Sequence, residues 1–298
     1  MTLDNTSFAL PVARTVESLR NIVSQWRQNG ESVALVPTMG ALHRGHLALV
    51  EKARANSDRV VVSIFVNPAQ FAAHEDFGDY PRTAREDIEK LKPLGVDLIY
   101  GPAASEMYKP DFSTSIVVGG VSEGLCTVTR PHFFGGVAIV VAKLLLQCLP
   151  DIAIFGEKDY QQLLVIRRMV RDLNIPVEIL SGPTEREEDG LAISSRNVYL
   201  SEQERGRAVE LSRTLREVVV DVESGGNIRS ALAAGEARLK KAGFDPVDYL
   251  EVCDAETLEP VESLDRDARA LGAAHLGQTR LIDNFPISSA GSRRNLDV

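Results

Sequence analysis

The sequence predicts an α/β protein, a doubly wound parallel sheet followed by a smaller α+β part. Three observations predict it. Five short runs, "SVALVPT", "RVVVSIFVN", "VDLIYGP", "IAIFGEKD" and "VEILSGPT", are apolar almost throughout, as strands covered on both faces must be. Helical patterns over 45–57, 82–94, 136–149 and 159–173 alternate with them, the signature of parallel strands joined by crossover helices. After residue 183 the texture changes to two long helical patterns and then three strand-like segments. Two domains are expected, over 1–183 and 184–298.

Each element has its own justification. The first strand runs into "HRGHLALVEKARA", which repeats apolar residues at helical spacing. After the second strand, "TAREDIEKLKPLG" carries acids early, cations late and Gly95 at its end, matching helix polarity and stop signals. The stretch "GVAIVVAKLLLQCL" is interrupted by Lys143 and is too short to span a bilayer, so it reads as a core helix. Beyond "GPTEREEDGLAISSRNVYLS", helices are predicted over about 201–223 and 228–242, separated by "SGGN". "VDYLEVCD", "ARALGAAHLG" and "TRLIDNFPI" then read as a small antiparallel sheet. The tail "SSAGSRRNLDV" is polar and expected to be disordered.

Composition narrows the function. The 298 residues carry a net charge of −9 and no basic stripe, which argues against nucleic acid as a partner. A few local cations suffice for a small anionic substrate such as ATP. Cys126, Cys148 and Cys253 are far apart and odd in number, with neither disulfide nor zinc spacing, so a reduced, cytoplasmic setting is expected. The first residues lack the basic start and apolar run of a secretory signal, and no membrane partner is expected.

Ligands of open parallel sheets bind at the carboxyl ends of the strands. The first strand is followed by Met39, Gly40, His43, Gly45 and His46; the second by Asn67 and Gln70; the fourth by Lys158, Asp159, Gln161 and Gln162. The fifth leads through "EREED" to Ser194, Ser195 and Arg196. A helix N-terminus attracts phosphate, imidazoles there donate to its oxygens, and Gly45 leaves room for a ligand against the backbone. Lys158 suits a phosphate and Asp159 a ribose diol; the serines and Arg196 suit a polyphosphate. Taken singly, each cluster has a plain structural reading: His43 or Asp159 as a helix cap, the glutamines as surface residues. Four clusters predicted at one sheet edge make a site. The chain has no GxxxxGK[ST] loop, no GxGxxG after the first strand and no GxSxG elbow.

"HRGH" at a strand–helix junction resembles the HxGH signature of the nucleotidylyltransferase superfamily. "VPTMGALHRGHLALV", "VSIFVNPAQF", "YPRT", "FGEKDYQQL" and "DGLAISSRNVYLS", in this order, resemble more closely the pantoate–β-alanine ligase family. That resemblance implies a Rossmann-like N-terminal domain, a smaller C-terminal lid domain and a homodimer. It implies condensation of pantoate and β-alanine at the expense of ATP, with Mg²⁺ present and release of AMP and pyrophosphate. Matched by motif, Met39, Gly40, Ala41, Leu42, His43, Arg44, Gly45 and His46 would line the ATP site, with His46 as proton donor. Gly156, Glu157, Lys158 and Asp159 would meet the nucleotide, Glu185 the adenine, and Ile193, Ser194, Ser195 and Arg196 the phosphates. Gln70, Gln162 and Asn67 would serve pantoate and β-alanine. The loop "NPAQFAAHEDFGDYP" is a candidate lid. The family commonly reads "RPGHFxGV" where this chain has "RPHFFGGV", so the backbone around His132 and Phe133 is expected to differ. Glu86 and Asp87 have the chemistry of Mg²⁺ ligands, but their setting reads as a solvated helix face.

Overall fold

A computed structural model describes residues 10–72 and 75–289. The predicted tail lies almost wholly outside the described residues, as do residues 1–9, on which the reading of the N-terminus partly rests. The chain forms two compact units. The first comprises Met1–Val118, Arg130–Glu157 and Val165–Pro183; the second comprises Gly119–Thr129, Lys158–Leu164 and Thr184–Val298.

The first unit is built on a parallel sheet of six strands: β1 (Val12–Ala13), β2 (Val33–Thr38), β3 (Arg59–Ile64), β4 (Leu98–Tyr100), β5 (Ile152–Gly156) and β6 (Glu178–Gly182). Their order is β1-β4-β3-β2-β5-β6. Five are the predicted runs; β1 has two residues, too few to leave a pattern. Val33, Ala34, Leu35 and Val36 of β2 are completely buried, which explains why the strand is apolar on both faces. Burying each of its larger side chains is worth about 1.5–3 kcal/mol.

Helices cover the sheet. α1 (Val16–Gln28) opens on a reciprocal Thr15–Ser18 capping box. α2 (Arg44–Asn56) turns Leu49, Val50 and Ala53 inward, the one-face spacing of a helix lying on a sheet. α3 (Ala84–Leu91) buries Asp87, Ile88 and Leu91 and passes into one 3₁₀ turn at Lys92–Leu94, where Pro93 removes an amide donor. α4 is a single turn, Ala104–Met107. α5 (Cys126–Thr129) belongs to the second unit. α6 (Phe133–Cys148) is buried on nearly every side; Lys143 reaches out over the Phe112 ring at 4.9 Å. Arg20 of α1 donates to the Leu146 carbonyl at 3.0 Å, satisfying an acceptor in the last turn of α6. α7 (Tyr160–Asp172) follows β5.

The sheet reverses direction at β2: the chain first goes outward to β3 and β4, then crosses to β5 and β6. The cleft between the carboxyl ends of β2 and β5 is the place where such sheets bind ligands.

In the second unit α8 (Glu202–Glu223) and α9 (Ile228–Lys241) pack on an antiparallel sheet ordered β7 (Val247–Asp254), β8 (Ala268–Leu276), β9 (Thr279–Ile287). α8 starts on a Ser201–Glu204 capping box. Small residues in the central strand admit the helices closely: a Cβ on Gly272 would lie 3.1 Å from Leu211. Leu211, Leu215, Leu239, Phe244 and Val252 form the middle of this core. Among the described residues, no helix is long and apolar enough to cross a membrane.

Candidate active site

At the end of β2 the chain makes a tight turn into α2. Thr38 donates its hydroxyl to the Ser63 carbonyl on β3 at 2.7 Å and accepts from the Gly40 amide at 3.2 Å. Gly40 and Ala41 then take left-handed backbone, at φ +85° and +50°. The glycine relieves the strain at the first position; the alanine bears it at the second. Asp87, completely buried on α3, holds this turn. Its two carboxylate oxygens accept from the Ala41 amide at 3.0 Å and the Leu42 amide at 2.7 Å. Lys90, one turn further along α3, donates to the Leu42 carbonyl at 2.7 Å. Burial pushes the Asp87 carboxyl above its ordinary range, and the two amides and Lys90 pull it only part of the way back.

His43 is the N-cap of α2, and its amide donates to Nδ1 of His46 at 3.4 Å. The two rings stack with centroids 4.0 Å apart. With Nδ1 accepting, a neutral His46 carries its proton on Nε2. The sequence-predicted histidines therefore form one unit at the start of a helix, where the first N–H groups and the helix dipole favour an anion.

Asn67 and Gln70 sit on a 3₁₀ turn (Pro68–Gln70) after β3. Asn67 is spent on its neighbours. Its amide donates to Gln70 Oε1 at 3.1 Å and to the Gly136 carbonyl at 3.0 Å. Its oxygen accepts from Tyr108 Oη at 2.7 Å and the Ala69 amide at 3.3 Å. Burial holds the Tyr108 hydroxyl up to about 12, so it stays a donor at neutral pH. Gln70, with its oxygen held, points Nε2 at Met39 Sδ at 3.1 Å, linking this turn to the β2–α2 segment. Gly136 lets α6 approach: a Cβ there would meet Ala69 O at 2.2 Å.

The "RPHFFGGV" segment leads into α6. His132 caps α6, and Phe133 lies beneath Arg130, whose guanidinium carbon is 3.9 Å from the ring centroid. Arg130 grips both oxygens of Glu75, at 2.8 and 2.5 Å, and donates to the Gln70 carbonyl at 3.3 Å. Burial opposes ionisation of Glu75, but the hydrogen bonds and charge of Arg130 outweigh it and hold the carboxyl below its ordinary range. The candidate lid is thus pinned through Glu75, and Phe71 packs against Phe77 and Tyr80. Ala73 and His74 lie outside the described residues.

Gly156 is the last residue of β5, and Glu157 follows it. Glu157 accepts from Ser181 Oγ at 2.8 Å, and α2 packs close to β6, where a Cβ on Gly182 would meet Leu49 at 2.2 Å.

The remaining predicted residues belong to the second unit. Lys158, Asp159 and Gln162 are half-buried around the start of α7. The Lys158 carbonyl is held by Asn284 at 2.9 Å. Gln161, beside Gln162, is buried and used by the fold: it donates to the Val121 carbonyl at 3.2 Å and accepts from the Cys126 amide at 3.2 Å. Residues 185–193 form a hairpin in which the Ile193 amide donates to the Glu185 carbonyl at 2.9 Å. Arg186 anchors it through a two-pronged bond to Asp283, at 2.7 and 2.9 Å. Ser194 accepts the Arg196 amide at 3.2 Å and opens a 3₁₀ turn (Ser195–Tyr199) that carries Ser195 and Arg196, all three half-buried.

Two expectations need correction or completion. Asp87 is not on a solvated helix face: it is interior, and its oxygens are committed to backbone amides. Sequence reasoning also overlooked Tyr108 and the structural use of Gln161. The available signal for Asp87 was its register, since it shares the inner face of α3 with Ile88 and Leu91. Among the described residues, no group of three His, Cys, Asp or Glu side chains is placed to hold a metal ion.

A family model for pantoate-beta-alanine ligase matches residues 11–286. A pantothenate synthetase of Rhodospirillum rubrum is 53% identical over 280 residues, which cover 94% of this chain and 99% of that protein. One from Caulobacter vibrioides is 53% identical over 279 residues, covering 93% and 98%. The crystal structure of pantothenate synthetase from Thermus thermophilus has a TM-score of 0.88 at 47% identity, covering 94% of this chain and 100% of that one. The pantoate-beta-alanine ligase of Francisella tularensis, complexed with beta-gamma ATP and beta-alanine, gives 0.78 at 32% identity, covering 93% and 97%. With sequence and fold matched almost end to end, the chain belongs to the pantoate–beta-alanine ligase family.

Proposed function

We propose that the chain makes pantothenate in two steps at the carboxyl edge of the parallel sheet. In the first, a carboxylate oxygen of pantoate attacks the α-phosphorus of ATP; the bond to the bridging oxygen breaks and pyrophosphate leaves. In the second, the neutral amine of β-alanine attacks the pantoyl-adenylate carbonyl, loses a proton, and expels AMP. The observation that carries this reading is the stacked His43–His46 pair on an N-terminal helical turn fixed by a buried carboxylate.

The first step needs no base, because its nucleophile is already an anion. Its difficulty is anion approaching anion, with charge growing on pyrophosphate, so positioning and electrostatic stabilisation must supply the rate. His46, donating from Nε2, His43 and Lys158 are assigned to the phosphates, as are Ser194, Ser195 and Arg196. Backbone from Met39 through Gly45, with Gly156, Glu157, Asp159, Glu185 and Ile193, is assigned to the rest of the nucleotide. Gln70 and Gln162 are assigned to pantoate, with Gln70 also beside β-alanine. Asn67, its four valences filled, is assigned the orientation of Gln70 rather than contact with substrate. That the Francisella relative is complexed with beta-gamma ATP and beta-alanine supports these ligands.

Magnesium is assigned to the triphosphate it accompanies, in keeping with its habit of retaining water and binding through substrate phosphates. A cytoplasmic homodimer completes the reading. Light scattering in solution tests the dimer. AMP formation from ATP tests the reaction: both pantoate and β-alanine should be required. Equal AMP formation without β-alanine, or none with both, would refute it.

A further inference from the structure

We propose that Asp87 is a positioning residue for adenylation, acting through the residue 40–42 turn on the histidine-bearing start of α2. The inference deepens the proposed role of His46 and rests on it.

The connection is short and continuous. One carboxylate receives two successive amides, Ala41 and Leu42, and the next amide along the chain, that of His43, is the one that holds His46 Nδ1. Thr83 donates to the same carboxylate at 3.3 Å, and Lys90 ties down the Leu42 carbonyl. The turn needs this restraint. Gly40 and Ala41 are both left-handed, and for Ala41 that conformation is disfavoured by roughly 1–2 kcal/mol. Without an acceptor for its amides, the turn has a cheaper backbone to relax into.

The chemistry of the side chain fits the task. Packing alone would be served by an apolar residue, without the cost of desolvating a carboxylate. Among the side chains, only a carboxylate presents two acceptors side by side and no donor. Asparagine has nearly the same shape but turns an NH₂ toward one of the two amides. Asp87 also lies where it cannot reach a ligand itself, since it is completely buried and its oxygens face Ala41, Leu42 and Thr83. Its influence on the reaction must therefore pass through the backbone it holds. Loosening that backbone moves the first turn of α2 and frees the His46 ring from a single tautomer.

The test is a double-mutant cycle on the full chain, using Asp87→Asn, His46→Ala and the pair. Pyrophosphate release from ATP and pantoate is read alongside thermal melting. Asp87→Asn should fold and lose about 10–10²-fold in turnover, the scale of a misplaced catalytic group. Added to His46→Ala, it should cost no more than about 3-fold further, because the two act as one unit. Independent, multiplying losses would overturn the proposal, as would a folded Asp87→Asn enzyme within about 2-fold of the parent. Near-normal turnover of His46→Ala would instead remove His46 from the mechanism, an outcome distinct from failure at Asp87, and would overturn the proposed connection with it. Should Asp87→Asn not fold, Lys90→Met loosens the same turn from the other side. It should show the same non-additivity with His46→Ala, and additive losses would again count against the proposal.

Discussion

Substituting Gly136 by alanine puts one methyl group where α6 meets the turn after β3. The new Cβ would lie 2.2 Å from Ala69 O, 2.5 Å from Ala69 C and 2.7 Å from Gln70 Cα. All three are backbone atoms, so no side chain can swing aside. Relief requires the helix and the turn to part by roughly 1 Å, and overpacking of this kind costs about 1–3 kcal/mol. The same movement stretches the bond from Asn67 Nδ2 to the Gly136 carbonyl, now 3.0 Å, which is worth about 1 kcal/mol. A total near 2–4 kcal/mol lowers Tm by on the order of 5–10 °C. The functional effect follows from what Asn67 holds. Released from Gly136, it no longer fixes Gln70 Oε1, and on the proposed assignment of Gln70 to pantoate a contact displaced by about 1 Å costs up to ~10²-fold. Scanning calorimetry reads the first effect; initial rates with pantoate varied at saturating ATP and β-alanine read the second. A variant that melts within about 1 °C of the parent, with kcat/KM for pantoate unchanged, would refute the account.

His46→Ala should melt normally and lose ~10²-fold or more in pyrophosphate release, measured by a coupled phosphate assay. Gly182→Ala should be milder than Gly136→Ala, about 1–2 kcal/mol, because the clash at 2.2 Å is with the tip of Leu49; combined with Leu49→Ala, the two losses in melting should sum to less than their parts. The Glu75–Arg130 pair should show in acid. A carboxyl held below its ordinary 4.5 in the folded chain stabilises above that pH and loses its contribution as pH falls through the folded value. The melting gap between the parent and Glu75→Gln should therefore be open near neutrality and close toward strong acid, and a gap that widened in acid would contradict the sign. Burial pushes the Cys148 and Cys253 thiols up to about 12; together with Cys126 they are buried, so a thiol reagent should label the native chain slowly and fully only after denaturation.

Much of the fold is legible in the sequence because its signals are local. The first predicted strand ends where β2 ends, at Thr38, and the helix predicted over 45–57 is α2, Arg44–Asn56. The misplacements have physical causes. α6 begins at Phe133, three residues before the predicted start at 136. Gly136 is there for close approach to Ala69, a long-range contact that no local pattern encodes. The 82–94 segment stops being α-helical at Leu91 because Pro93 imposes a tighter turn. Asp87, flanked by Glu86, Glu89 and Lys90, has a solvated composition and a buried register; composition misled, and register was the better guide.

The same distinction governs the site. Polar residues at strand ends fall into two classes that a sequence does not separate. Asn67, Asp87 and Gln161 are buried, and the fold uses their donors and acceptors on backbone or neighbouring side chains. Lys158, Asp159, Gln162, Ser194, Ser195 and Arg196 are only half-buried. A buried polar group must be satisfied before any ligand arrives, since leaving it unpaired costs about 1–3 kcal/mol. Asn67, Asp87 and Gln161 therefore hold geometry; Gln70, also buried, is the exception in being assigned to pantoate, and the partly exposed members are the others proposed to meet substrate. On this argument part of the precision of the proposed site rests on side chains that are not assigned to pantoate or ATP. Removing one of them should disturb rate through geometry, while removing an exposed neighbour should disturb it through a missing contact.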